Sequence, residues 1–322
     1  MAPRARTVNI EAYQNYLRGQ YHRLRLTPES TSKAKEFFEQ ALASDPSYAP
    51  AYSGLADYYY ALTAYGIKPT GDVAPLAKSA AEKALAIDPT NSDAHSVLAM
   101  VAAVCDYDWK VSEAHFRKAM AVEPVPPLVR YRYAISYLLP LARCPDAIEQ
   151  SRLTLETDPL SMQAHFGMAL SMVAAKRYQG AIEYARRALE IDADNHFIWY
   201  AIGRAQSGAG LIQEAIASYR RVVELAPWWY VGAWFLATAY HQAGDHERGQ
   251  ELVRKLTGLH GHNYGAAVYY AVTGEADAMF EALDEAYRQR DVLLRRAPGE
   301  PFFNPYRADP RFQALLQRMN LA

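Results

Sequence analysis

Few residues in this chain are spaced for chemistry. His260 and His262, in the turn LHGHN, present two imidazoles that could ligate a metal, but a pair in a polar turn falls short of a zinc set and reads as surface punctuation. The run GRAQSGAG, Gly203 to Gly210, has the glycine density of a phosphate loop. No strand precedes it and it sits across a helix end, so the turn that would cradle phosphates is not expected. Glu281, Asp284 and Glu285 lie on a polar helix face without a partner for acid–base work. Cys105 and Cys144 cannot supply structural-zinc spacings and read as small thiols in apolar or loop surroundings. No nucleophile motif stands out, so neither an enzyme, a cofactor nor a metal is expected.

Composition narrows the class further. The 322 residues are 51% hydrophobic and 21% charged, as in a soluble folded protein, and the net charge of -1 argues against phosphate-driven nucleic-acid binding. The mildly basic stretch from Met1 to Lys33 reads as a solvated face. The start, MAPRARTVNIEAY, has positive charge but no apolar core of a signal peptide. A cytoplasmic location is therefore expected, or a periplasmic one if the chain belongs to a larger membrane-anchored protein. The uncharged stretch APWWYVGAWFLATAYHQAG, Ala226 to Gly244, approaches the roughly 20 residues that a bilayer span needs. Pro227 and two glycines interrupt it, and it runs into HQAGDHERGQEL, a helix–turn–helix junction.

The same punctuation recurs. Asp45-Pro46, Asp88-Pro89, Glu123-Pro124, Asp158-Pro159, Asp192-Ala193 and Ala226-Pro227 each close a helical run, and their second members are separated by 43, 35, 35, 34 and 34 residues. Spacing near 34 residues marks a helical repeat array. Small residues must sit where two antiparallel helices cross closely, and Ala84, Ala119, Ala147, Ala181, Ala188 and Ala215 hold such slots. Large ones fill the gaps beside them, among them Tyr52, Leu55, Tyr59, Phe116, Leu236 and Tyr240. Trp199, Ile202 and Gly203, followed by Ala215, Tyr219 and Pro227, match the pattern W-x2-L-G-x2-Y, A-x3-F, P, with Gln206 in place of the expected Tyr. On these residues the chain resembles the tetratricopeptide repeat family.

That resemblance implies an all-α fold: a right-handed α-α superhelical solenoid of helix–turn–helix repeats with a C-terminal capping helix. Residues 1–11 are an N-terminal extension and 12–290 an array of about eight repeats. The second repeat carries an inserted loop near 65–76, and the eighth is shortened. Residues 291–322 form a loop and a capping helix, with Asp309 as N-cap, Pro310 at the first helical position and Phe312, Leu315, Leu316 and Met319 as an apolar stripe. In such arrays the first (A) helix of each repeat lines a concave surface. If Ser92, Pro127, Met162, His196 and Tyr230 begin the A helices of repeats three to seven, the fifth positions facing the groove are Ser53, Ser96, Tyr131, Phe166, Tyr200 and Trp234. Arg204, Thr238 and His241 add polar groups beside the last two. Rigid aromatics flanked by a guanidinium suit a protein or peptide partner. The bland alternative is that these rings are ordinary core. The carboxylate clamp of some relatives needs Lys and Asn at the fifth and ninth positions of adjacent repeats, and those residue types are missing here.

The terminal phrases NIEAYQNYLRGQYHRLRLTPESTSKAKEFFEQALASDPSYAPAYSGLADYY and YRADPRFQALLQRMNLA are similar to the repeat region of large bacterial signalling proteins. In those, such arrays follow a serine/threonine kinase, a nucleotide cyclase or a winged-helix domain. The likeness implies a docking or sensor module. The alternatives are a small-molecule binder and a module that self-associates through its terminal repeats.

Overall fold

The structure, a computed structural model, describes residues 9–23, 25, 27–259 and 263–321. Helices follow one another in pairs: α1 (Ile10–Arg23) with α2 (Pro28–Ser44), α3 (Ala49–Ala64) with α4 (Thr70–Ile87), and α5 (Ser92–Val104) with α6 (Trp109–Ala119). The fourth pair is α7 (Pro127–Tyr133), extended by a π-helical turn (Ala134–Leu138), with α8 (Cys144–Thr157). Then come α9 (Met162–Ala174) with α10 (Tyr178–Ala188), α11 (His196–Gly208) with α12 (Ile212–Leu225), α13 (Tyr230–Gln242) with α14 (His246–Leu256), and α15 (Asn263–Thr273) with α16 (Ala276–Arg288). No strand occurs among the described residues. The molecule is a helical repeat solenoid of the tetratricopeptide type, and its A helices begin at the residues the spacing gives.

The punctuation has a local cause. Asp45, Asp88 and Asp158 are the residues at which α2, α4 and α8 stop, each in extended or near-extended backbone that the following proline favours. Asn91, Ser161 and Asn195 then cap the next A helix, accepting from the backbone N–H groups of Ala94, Ala164 and Ile198. Between the two helices of each repeat from the second onward, one residue takes a left-handed backbone: Gly66, Tyr107, Ala142, Lys176, Gly210, Gly244 and Gly274. A left-handed residue satisfies the last carbonyls of the A helix and turns the chain antiparallel.

Packing follows the small-against-large rule. Ala84, Ala119, Ala147 and Ala215 are fully buried and Ala181 and Ala188 nearly so. A methyl group built on Gly203 would lie 2.5 Å from the Tyr219 ring, so only glycine lets the two helices of that repeat approach so closely. The uncharged stretch considered as a span contains α13, of 13 residues. No described helix is long and apolar enough to cross a membrane.

Two readings need correction. Residues 70–76, expected as loop, form the first turns of α4 despite Gly71 and Pro75. The buried stripe Val73, Ala77, Ala80, Ala81 and Ala84 outweighs the two breakers, leaving 65–69 as the connection. The run after α16, also expected as loop, is regular as well. It folds into two consecutive 3₁₀ helices, Leu294–Gly299 and Pro301–Tyr306. Leu294, Ala297, Glu300 and Phe303 are all 0% exposed, the three-residue spacing that one face of a 3₁₀ helix presents. This segment runs along the concave face and leads into α17 (Pro310–Arg318), capped by Asp309, whose side chain accepts from Arg311 N–H at 2.8 Å. Phe312, Leu315 and Met319 are buried, so α17 covers the apolar end of the array. It also reaches back across the spiral. Trp109 Nε1 donates to Met319 O at 2.8 Å and Asn320 Nδ2 to Tyr107 O at 3.0 Å, while the Tyr107 and Tyr287 rings stack at 5.3 Å.

Candidate functional site

The concave face is divided in two by the C-terminal segment. Towards repeats five to eight the segment is itself the filling. Glu300, fully buried, receives Arg204 Nη2 on both carboxylate oxygens at 3.1 and 2.9 Å, and Tyr264 donates its hydroxyl to Oε2 at 2.7 Å. Burial alone would pull the Arg204 guanidinium down, but Glu300 beside it holds it well above its ordinary value. The Tyr264 hydroxyl is pushed far up by burial and by the same carboxylate. Tyr200, also fully buried, accepts from Arg204 Nη1 at 3.0 Å and from Arg296 Nη1 at 2.9 Å. Arg204 and Tyr200 therefore face the protein's own C-terminal segment.

Trp234 and Thr238 lie in a separate cluster. The Trp234 ring packs on Tyr269 at 6.4 Å and against Gly265, and Thr238 donates its hydroxyl back to Trp234 O at 2.9 Å. His241, half-buried, places Nδ1 3.1 Å from His246 Nδ1, and burial together with that second ring lowers its affinity for a proton. Tyr131 and Phe166 are elsewhere again. They line a cleft of about 140 Å³ between repeat one, the A helices of repeats two to six and the C-terminal segment. The sequence-predicted site residues are thus distributed over three places: Tyr131 and Phe166 in the cleft, Tyr200 and Arg204 behind the C-terminal segment, and Trp234, Thr238 and His241 against repeat eight.

The cleft is built from aromatic walls and a cationic edge. Phe38, Tyr58, Tyr65, Phe197 and Trp229 join Tyr131 and Phe166 in its lining. Phe166 and Phe197 are 5.1 Å apart by ring centroid, and Phe197 meets Trp229 edge-on at 4.9 Å, the offset arrangements that aromatic quadrupoles favour. Burial pushes the Tyr131 hydroxyl up to about 12, so it stays a neutral donor. Four guanidinium groups reach the lining, Arg23, Arg132, Arg295 and Arg296, against the single carboxylate of Asp57. Arg132 and Arg23 share Asp57, the latter at 3.3 Å, and Arg132 also donates to Ser96 Oγ at 2.7 Å and lies 3.6 Å from Asp93. Arg295 is 6% exposed and directs its guanidinium to two backbone carbonyls, Val292 O and Ile135 O, the latter in the π-helical turn after α7.

Arg23, Asp57, Arg132, Arg295 and Arg296 were missed by sequence reasoning. Arg295 and Arg296 sit in VLLRRAP, where two cations inside an apolar run are the one local signal that the segment is not solvent-facing.

The remaining candidates fall outside these three places. Gly203 to Gly208 of GRAQSGAG lie inside α11. Asp284 is bound by Arg318 at 2.6 Å, and Glu285 by Arg288 and Gln289. Cys105 is buried and free, its thiol pushed up to about 12 by burial. His260 and His262 lie outside the described residues, among which no group of three metal-binding side chains converges.

Residues 198–227, which cover most of α11 and all of α12, match the family model of the tetratricopeptide repeat. Among solved structures, Pseudomonas aeruginosa pilF is 18% identical with a TM-score of 0.50, covering 72% of this chain and 98% of its own. The human IFIT1 dimer with m7Gppp-AAAA is 16% identical, also with a TM-score of 0.50, covering 96% of this chain and 69% of its own. At these identities the likeness is one of fold. No curated protein matches the sequence. Together these findings show a helical repeat fold of the tetratricopeptide type, with one repeat that matches the family model.

Proposed function

We propose that the chain is a non-catalytic docking scaffold that binds a protein or peptide segment in its concave face, as a docking or sensor module of bacterial signalling. The observation that carries this is the cleft, where Tyr131 and Phe166 stand with Phe197, Trp229 and a cationic edge. Large rigid rings beside guanidinium groups are the residue types that dominate interface energies. Conversely, the part of the groove around Arg204 holds Glu300 in the place an acidic partner would take.

The reading is tested by filling the cleft. Ala64 lines it and is partly exposed, so Ala64→Trp blocks the space without entering a helix crossing. Affinity capture from the source cell should recover a partner with wild type and lose it with Ala64→Trp, at unchanged thermal melting. Equal recovery by both proteins would remove the cleft from the account. Light scattering across concentrations addresses self-association.

A further inference from the structure

Arg295 and Arg296 stand out among the charged groups lining the cleft because neither forms an ion pair, the buried Asp291 acting on them only at longer range. Among the described residues no carboxylate lies within ion-pair distance of either. Asp291, which precedes them, directs its oxygens to the backbone N–H groups of Leu293 at 2.9 Å and Tyr264 at 3.1 Å. Arg204, which lines a second cavity together with Arg295 and Arg296, has Glu300, and Arg23 and Arg132 have Asp57. A guanidinium taken out of water costs free energy unless a counter-charge and hydrogen bonds offset it, and Arg295 has only carbonyl oxygens. Burial accordingly draws its proton affinity down. A second observation lies in the wall of the same space. Trp229, 3% exposed and part of the cleft lining, has an indole N–H with no acceptor among the described residues. A buried donor of this kind is rare in folded proteins.

The geometry points to an acid-selective peptide site: the cleft takes an extended segment in which one aspartate or glutamate, flanked by large apolar side chains, sets its carboxylate against Arg295 and Arg296. The aromatic walls receive the flanking side chains. This rests on the docking reading above and names the partner's chemistry. A peptide with one charge among apolar residues fits better than a polyanion, because the guanidinium groups are clustered at one edge of an aromatic cleft, whereas a phosphate backbone is met by cations strung along an open groove. The arginines that select the acid lie outside the repeats, on the C-terminal segment, so the repeat pattern alone does not encode them.

The test uses the full chain and acetylated, amidated hexapeptide pools with Glu, Gln or Lys fixed at the third position and Ala, Leu, Phe or Tyr elsewhere, so that the fixed residue carries the sole charge. Retention on immobilised protein is read by mass spectrometry. Wild type should retain Glu peptides over their Gln counterparts by about tenfold or more, as hydrogen bonds to a charged group imply. Arg296→Gln, at a half-buried position, should bring that ratio towards one with unchanged melting, and Arg187→Gln, on the exposed face of α10, should leave it intact. Arg295→Gln should do the same as Arg296→Gln if it folds; Arg296→Gln decides the matter alone if it does not. Peptides retained without acid preference, or with a preference that survives Arg296→Gln, would overturn this proposal and leave docking standing. Retention of no pool, with stabilisation instead by 4-phenylbutyrate or a single-stranded oligonucleotide, would overturn docking and the proposal together.

Discussion

Glu300→Gln is the perturbation that most sharply separates a structural C-terminal segment from a loose one. The substitution keeps the shape of the side chain and removes its charge, leaving Arg204, 8% exposed, without an anion. Breaking a buried pair by neutralising one member costs about 3–5 kcal/mol. A cavity of about 70 Å³ lined by both Arg204 and Glu300 gives the guanidinium some access to water, which places the cost near the lower bound. About 3 kcal/mol corresponds to roughly a hundredfold change in an opening equilibrium. Repeat proteins open by segments, so the assay is hydrogen exchange of residues 294–303 followed by mass spectrometry rather than one global transition. The amides of Arg296, Glu300 and Phe303 donate to Leu293, Ala297 and Glu300 carbonyls, and their exchange should quicken by about that factor. The double variant Arg204→Met with Glu300→Leu should restore most of the protection, since an apolar replacement of a buried pair is often neutral. Acceleration below about threefold, or a double variant no better than the single one, would refute the pairing as the lock of this segment.

Three further outcomes follow from the packing and the turns. Ala188→Arg should cost more than about 3 kcal/mol and depress helical circular dichroism, because a guanidinium stem cannot enter a crossing where the methyl group is 1% exposed; unchanged melting would contradict the assigned crossing. Lys176→Gly should raise stability by about 1 kcal/mol in chemical denaturation, since Lys176 holds the left-handed backbone (φ 58°) that glycine adopts freely, and a loss would contradict it. His196 is buried and its imidazole is lowered to about 4, so the unfolded chain, with a value near 6.5, binds the proton first. Stability is therefore present above about pH 6.5 and lost by up to roughly 3 kcal/mol as pH falls towards 4. His196→Leu should flatten that slope in urea titrations, and an unchanged slope would clear His196 of the effect.

The repeat register was legible because most repeats state it more than once, in the punctuation of Asp-Pro and its variants, the buried alanines and the spacing of the A-helix starts. The left-handed turn adds a fourth statement that composition hides, since Tyr107, Ala142 and Lys176 occupy it beside four glycines. What the sequence concealed was the path of residues 291–309. Gly299, Pro298, Pro301 and Pro305 read as loop residues. Their local preference is indeed non-α, and two 3₁₀ helices satisfy it while burying every third side chain. The groove reading placed an aromatic at the fifth position of four successive A helices. The solenoid turns each of those positions towards a different neighbour, so Tyr131 and Phe166 line the cleft while Tyr200 meets the C-terminal segment and Trp234 meets α15. Arg204 was legible as a groove cation; that its counter-charge would be Glu300, 96 residues on, was not.

The central claim is that partners meet this protein in the cleft between its A helices and its C-terminal segment. Placing the photo-crosslinking amino acid p-benzoylphenylalanine at position 163, in the cleft lining, and in a second protein at position 187, on the outer face, tests it directly. Irradiation in extract of the source cell should join a partner to position 163 and leave position 187 bare. A partner joined at 187 and absent at 163 would contradict the account.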